Sequence, residues 1–66
     1  MEKNAEKAVE WYTRAAEKGC ALAMCNLGMC YDDGYGVEKS AEKAVEWYTR
    51  AAELGEAAAM LYLGSY

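Results

Sequence analysis

The thirteen residues AEKAVEWYTRAAE occupy positions 5–17 and recur, letter for letter, at 41–53, an offset of 36 residues in a chain of 66. Aligning 1–30 on 37–66 gives 21 identities in 30 positions, and the segment 31–36, YDDGYG, has no second copy. A chain built this way is a repeat array: one unit cannot bury its apolar face alone, so units must stack. The expected organisation is one repeat-array domain over 1–66, with a unit at 1–36 and a partial second unit at 37–66.

Both copies carry a helical pattern. There is no proline, and alanine, glutamate, leucine, methionine and lysine favour helix. Over 40–54, Ala44, Val45, Trp47, Tyr48, Ala51 and Ala52 fall on one arc of about 160°, while Glu42, Lys43, Glu46, Thr49, Arg50 and Glu53 fill the other side. Asn4 and Ser40 stand where N-caps belong, and Glu6 and Glu42 face the positive end of the dipole. Glu10–Arg14 and Glu46–Arg50 are i,i+4 pairs, and Gly19 and Gly55 suit left-handed C-terminal positions.

The segments that follow are apolar nearly all round. In CALAMCNLGMCY (20–31) only Asn26 is plainly polar, and EAAAMLYLGSY (56–66) is similar. Such helices must be covered on most sides. Ala21, Ala23 and Gly28, with their copies Ala57, Ala59 and Gly64, allow close backbone approach. The expectation is an all-α chain of four helices at roughly 4–18, 20–32, 40–54 and 56–66, with sequential helices antiparallel.

So short a chain buries only about 60% of its unfolded surface, so a staple is worth seeking. Cys20, Cys25 and Cys30 are odd in number, and five-residue steps rotate a helical side chain by about 140° each time, so they cannot pair within one helix. They read as small apolar residues in a reduced, cytoplasmic setting, although a piece of a longer secreted parent would look the same. There is no histidine, and Asp32-Asp33-Gly34 lacks the alternating ligands of a calcium loop, so no metal or cofactor is expected. The net charge of −4, with no basic patch, argues against nucleic acid or anionic lipid as partner. No apolar run approaches a membrane span, and the start, Met1-Glu2-Lys3-Asn4, lacks a signal core.

The string Leu27-Gly28-x-x-Tyr31-x-x-Gly34-x-Gly36-Val37, continued by Lys43-Ala44-x-x-Trp47-Tyr48-x-x-Ala51-Ala52-Glu53-x-Gly55, resembles the Sel-1-like repeat family, a relative of the tetratricopeptide repeats. The resemblance covers essentially the whole chain. It implies an α-solenoid: antiparallel helix pairs stacked into a right-handed superhelix, here a fragment in the order B-A-B-A. It also implies an adaptor or scaffold surface that binds other proteins. A cysteine-rich branch of the family joins its two helices by a disulfide, but the matching positions here are Ala16 and Met24, so that bond does not carry over.

In such a superhelix the family's helix A lines the concave side. With Ala23, Leu27, Gly28 and Tyr31 on the packing face, Leu22, Cys25, Asn26 and Met29 point toward the groove or an end, as do Ala58, Leu61, Tyr62 and Ser65 in the second copy. These are the candidate protein- or peptide-binding residues. A second expectation is self-association through apolar ends: Trp11 and Tyr12 on the first helix, Met60, Leu61 and Tyr62 on the last, either head to tail or as a twofold dimer. A consensus-type designed repeat protein with no native ligand would read the same way. Catalysis is not expected, because Ser40 and Ser65 have no legible base and the carboxylates lie on regular solvated faces.

Overall fold

The computed structural model describes residues 4–64. Four helices follow one another: α1 (Ala5–Glu17), α2 (Ala21–Asp33), α3 (Ala41–Glu53) and α4 (Ala57–Leu63). Each packs on the next, so α2 lies between α1 and α3, and α3 lies between α2 and α4. The described residues are therefore all-α, in four helices, as the repeat pattern implies. Ser65 and Tyr66 lie outside the described residues, and the described part of the fourth helix ends at Leu63.

Local chemistry sets the helix ends. The Asn4 Oδ1 accepts a hydrogen bond from the Lys7 N–H at 3.1 Å, and the Ser40 Oγ accepts one from the Lys43 N–H at 3.3 Å. Each cap satisfies one of the donors a helix leaves unpaired at its start. At the other end the Gly19 N–H donates to the Ala16 carbonyl and the Cys20 N–H to the Ala15 carbonyl. Gly55 and Glu56 repeat this pattern on Ala52 and Ala51. Both glycines sit at φ 93°, a left-handed conformation that a Cβ would penalise, which is why glycine closes both helices. Cys20 and Glu56 then act as N-caps of α2 and α4 without a side-chain hydrogen bond.

The amphipathic pattern translates directly into packing. Arg14 reaches Glu10 at 3.2 Å and lies over the Trp11 ring, and Arg50 reaches Glu46 at 3.9 Å and lies over Trp47. These exposed pairs contribute little to stability. The core is apolar and continuous: Ala16 of α1, Ala23, Met24, Cys25 and Leu27 of α2, Ala44, Tyr48 and Ala51 of α3, and Ala59 of α4. Tyr48 and Leu27 are its largest fully buried side chains. Tyr48 lies flat against Gly28, where a Cβ would meet the ring at 2.6 Å. On its other side it stacks on Tyr62 with centroids 5.1 Å apart. The small residues of α2 are what let α3 approach so closely.

Candidate protein-binding surfaces

Two apolar surfaces remain uncovered. The first runs along α2. Leu22, Asn26, Met29 and Asp33 follow helical spacing i, i+4, i+7, i+11 and so share one face. Leu22 is 57% exposed and Met29 36% exposed. Asn26, Met29, Cys30 and Asp33 form one wall of a groove of about 160 Å³, with Tyr12 of α1 and Tyr35 of the α2–α3 loop opposite. That volume is below the roughly 300–1,000 Å³ of a small-molecule site, so the groove suits a single side chain. Among the described residues the groove's charged group is the carboxylate of Asp33, and no lysine or arginine lines it. Burial and the neighbouring Asp33 carboxylate both push the Cys30 thiol up from its ordinary 9.0, so the thiol is neutral near pH 7. Its thiolate fraction, and with it its nucleophilic character, is correspondingly low there.

The candidates named from sequence separate into groups. Leu22, Asn26 and Met29 share the α2 face. Cys25 does not: it is 2% exposed, inside the core, and its thiol is pushed up by burial and by Glu56. The assignment of Cys25 to the groove is corrected here. In a helix apolar on nearly every side, its position on the wheel does not distinguish the face toward α3 from the open one. Ala58 is half-buried against the core, and Tyr62, 37% exposed, covers Tyr48. Ser65 lies outside the described residues. Tyr12 was named for an end surface, yet it also walls the groove. Cys30, Asp33 and Tyr35 were not anticipated. Asp33 could have been found by extending the Leu22–Asn26–Met29 spacing by one turn.

The second surface is split between α1 and α4. On α1 it holds Trp11, 66% exposed; on α4 it holds Met60 at 52% and Leu61 at 76%. Cys20 is exposed at the α2 N-cap, and all three cysteines are free. Among the described residues no group of three or more histidine, cysteine or acidic side chains gathers to hold a metal, and no helix is long and apolar enough to cross a membrane.

Comparison with known proteins fits this geometry. The Sel1 repeat family model matches residues 1–20 and 21–56. The crystal structure of a Sel1 repeat protein from Oxalobacter formigenes superposes with a TM-score of 0.93 at 48% sequence identity, over 98% of this chain and 27% of that one. The chain thus spans about a quarter of that protein's length. No curated relative matches. A 36-residue helix-pair period, a matching family model over most of the chain and a close structural likeness agree, and the chain belongs to the Sel1 repeat family.

Proposed function

We propose that the chain is a non-catalytic protein-interaction module that takes an extended segment of a partner protein along the outer face of α2. Sel1 repeats typically serve as protein-interaction modules and are generally non-catalytic helical scaffolds. The observation that carries the reading is the stripe itself: an exposed Leu22 and Met29 flank Asn26, whose amide has no hydrogen-bond partner among the described residues. The amide can donate to and accept from a peptide backbone. Met29 adapts to varied apolar side chains, and Asp33 favours a lysine or arginine in the partner. Selection from a displayed peptide library tests this. The expected winners place a basic residue beside an apolar one, and Met29→Glu abolishes their binding while Leu61→Ser leaves it intact. Selected peptides indifferent to Met29→Glu would refute the groove.

A second reading, self-association, is favoured by a separate observation: Trp11 on α1 and Met60 and Leu61 on α4 are large, apolar and exposed. Burying such side chains is favourable at about 25 cal/mol per Å².

A further inference from the structure

We propose that the groove beside α2 selects an arginine of the bound segment, whose guanidinium lies against Tyr35 and meets the Asp33 carboxylate while Asn26 holds the backbone of the same segment. This rests on the peptide-binding reading and names the side chain that the groove takes.

The end of α2 is short of positive charge. A helix carries partial negative charge at its C-terminus, and a cation there is stabilising. α1 and α3 follow that rule, with Arg14 and Arg50 in their last turns. α2 breaks it: its last turn holds no basic residue, and the helix closes on Asp32 and Asp33. Asp33 is exposed, and among the described residues its side chain forms neither a hydrogen bond nor an ion pair. The carbonyl ends of the helix and a carboxylate therefore bring the same sign of charge to one place, and that place opens on the groove. The loop then returns an aromatic ring to it. Gly34 takes the left-handed φ of 75°, and the Tyr35 N–H donates to the Cys30 carbonyl at 2.8 Å, which sets Tyr35 in the wall of the groove that Asp33 lines. A helix-end rule broken at the mouth of an aromatic groove is a place where an external cation restores the balance.

The walls favour arginine over lysine. They are tyrosine rings, the Met29 thioether and the neutral Cys30 thiol, so a cation that enters gives up water. A guanidinium is more weakly hydrated than an ammonium, stacks flat on aromatic faces and offers a carboxylate two parallel N–H donors. The molecule uses this stacking twice on its own surface: the guanidinium carbon of Arg14 lies 5.9 Å from the Trp11 centroid, and that of Arg50 lies 5.1 Å from Trp47. Spacing adds a second constraint. Asn26 and Asp33 are seven residues apart on one helix face, about 10.5 Å along the axis. A segment whose backbone pairs with the Asn26 amide therefore needs a long side chain, directed along α2, to reach Asp33.

Fluorescence anisotropy tests this with the tightest peptide selected from the displayed library. Synthetic versions carry arginine, lysine, asymmetric dimethylarginine or uncharged citrulline at the basic position. Arginine is expected to bind about fivefold tighter than lysine or dimethylarginine, whose methyl groups keep the charge and block the paired hydrogen bonds, and about tenfold tighter than citrulline. Asp33→Asn is expected to bring arginine and citrulline within about twofold of each other. Tyr35→Ser is expected to weaken the arginine peptide about fivefold, and Tyr35→Phe to leave it unchanged. In the free chain Asp33→Asn is expected to hold or raise Tm, because it removes a negative charge from the end of α2. A lowered Tm would assign the carboxylate to the fold and overturn the proposal. Selected peptides that lose binding to Met29→Glu yet carry no arginine, or do not distinguish arginine from citrulline, overturn the arginine site and leave the peptide groove standing. Peptides indifferent to Met29→Glu overturn the groove, and the arginine site with it.

Discussion

Gly28 and Gly64 are the same position in successive repeats, and the structure assigns opposite consequences to the same substitution. A Cβ on Gly28 would lie 2.6 Å from both Cδ1 and Cε1 of Tyr48 and 3.0 Å from Cζ. The ring has nowhere to retreat, because it is 1% exposed and backed by Tyr62. Overfilling a packed core costs about 1–3 kcal/mol, and two ring atoms inside van der Waals contact place this case near the upper end. Replacing glycine by alanine inside a helix returns about 1 kcal/mol. Gly28→Ala is therefore expected to lose about 2 kcal/mol net, which lowers Tm by about 8–16 °C in a domain of this size. Gly64 has φ −63°, and a Cβ there meets nothing nearer than the Leu61 carbonyl oxygen at 3.4 Å. Gly64→Ala is expected to be neutral or to gain up to about 1 kcal/mol. Urea titration followed by circular dichroism, at concentrations low enough to keep the chain monomeric, reads both. Equal stability of the two variants would refute the claim that Tyr48 is clamped on Gly28.

Three further outcomes follow from the same packing. A maleimide reagent is expected to label Cys20 alone in the folded chain and all three cysteines in urea, counted by mass spectrometry, because Cys25 and Cys30 are buried and protonated. The folded state holds those two thiol protons more tightly than the unfolded state. Stability should therefore be level below the ordinary thiol value of 9.0 and fall as pH rises past it, and Cys25→Ala with Cys30→Ala should flatten the alkaline limb of the urea midpoint against pH. Asn26→Tyr is expected to stack on Tyr12 as Tyr62 stacks on Tyr48, raising stability by about 0.5–1.5 kcal/mol while closing the groove to a peptide. Unchanged peptide affinity in that variant would remove the groove from consideration.

Most of the fold was legible because it is specified by neighbours in sequence. The caps at Asn4 and Ser40, the left-handed glycines at 19 and 55 and the ion pairs four residues apart each depend on one or two turns of helix. The site was less legible because its residues are sorted by faces. Over α2 nearly every position is apolar, so pattern alone could not separate Cys25, turned into the core, from Leu22, turned out. Tyr35 belongs to the unduplicated segment, whose course depends on packing against α1: a Cβ on Gly36 would lie 2.5 Å from the Ala5 carbonyl oxygen. No repeat comparison could place it.

The duplicated helix separates these two kinds of information. Thirteen identical residues produce the same helix, a side-chain N-cap of the same kind and a closing glycine with the same φ in both copies. They do not produce the same burial: Tyr48 is sealed, while Tyr12 stays half-open beside Asn26. The difference lies in what stands on either side. Tyr48 has Gly28 before it and Tyr62 after it, and at the position matching Tyr62 the groove beside Tyr12 has Asn26. Position 26 versus 62 is one of the nine aligned positions at which the two copies differ. Where the second copy spends an aromatic ring to close the seam over Tyr48, the first leaves an amide and an opening. Among the positions that distinguish the copies, that exchange is the one that leaves Tyr12 half-open where Tyr48 is covered.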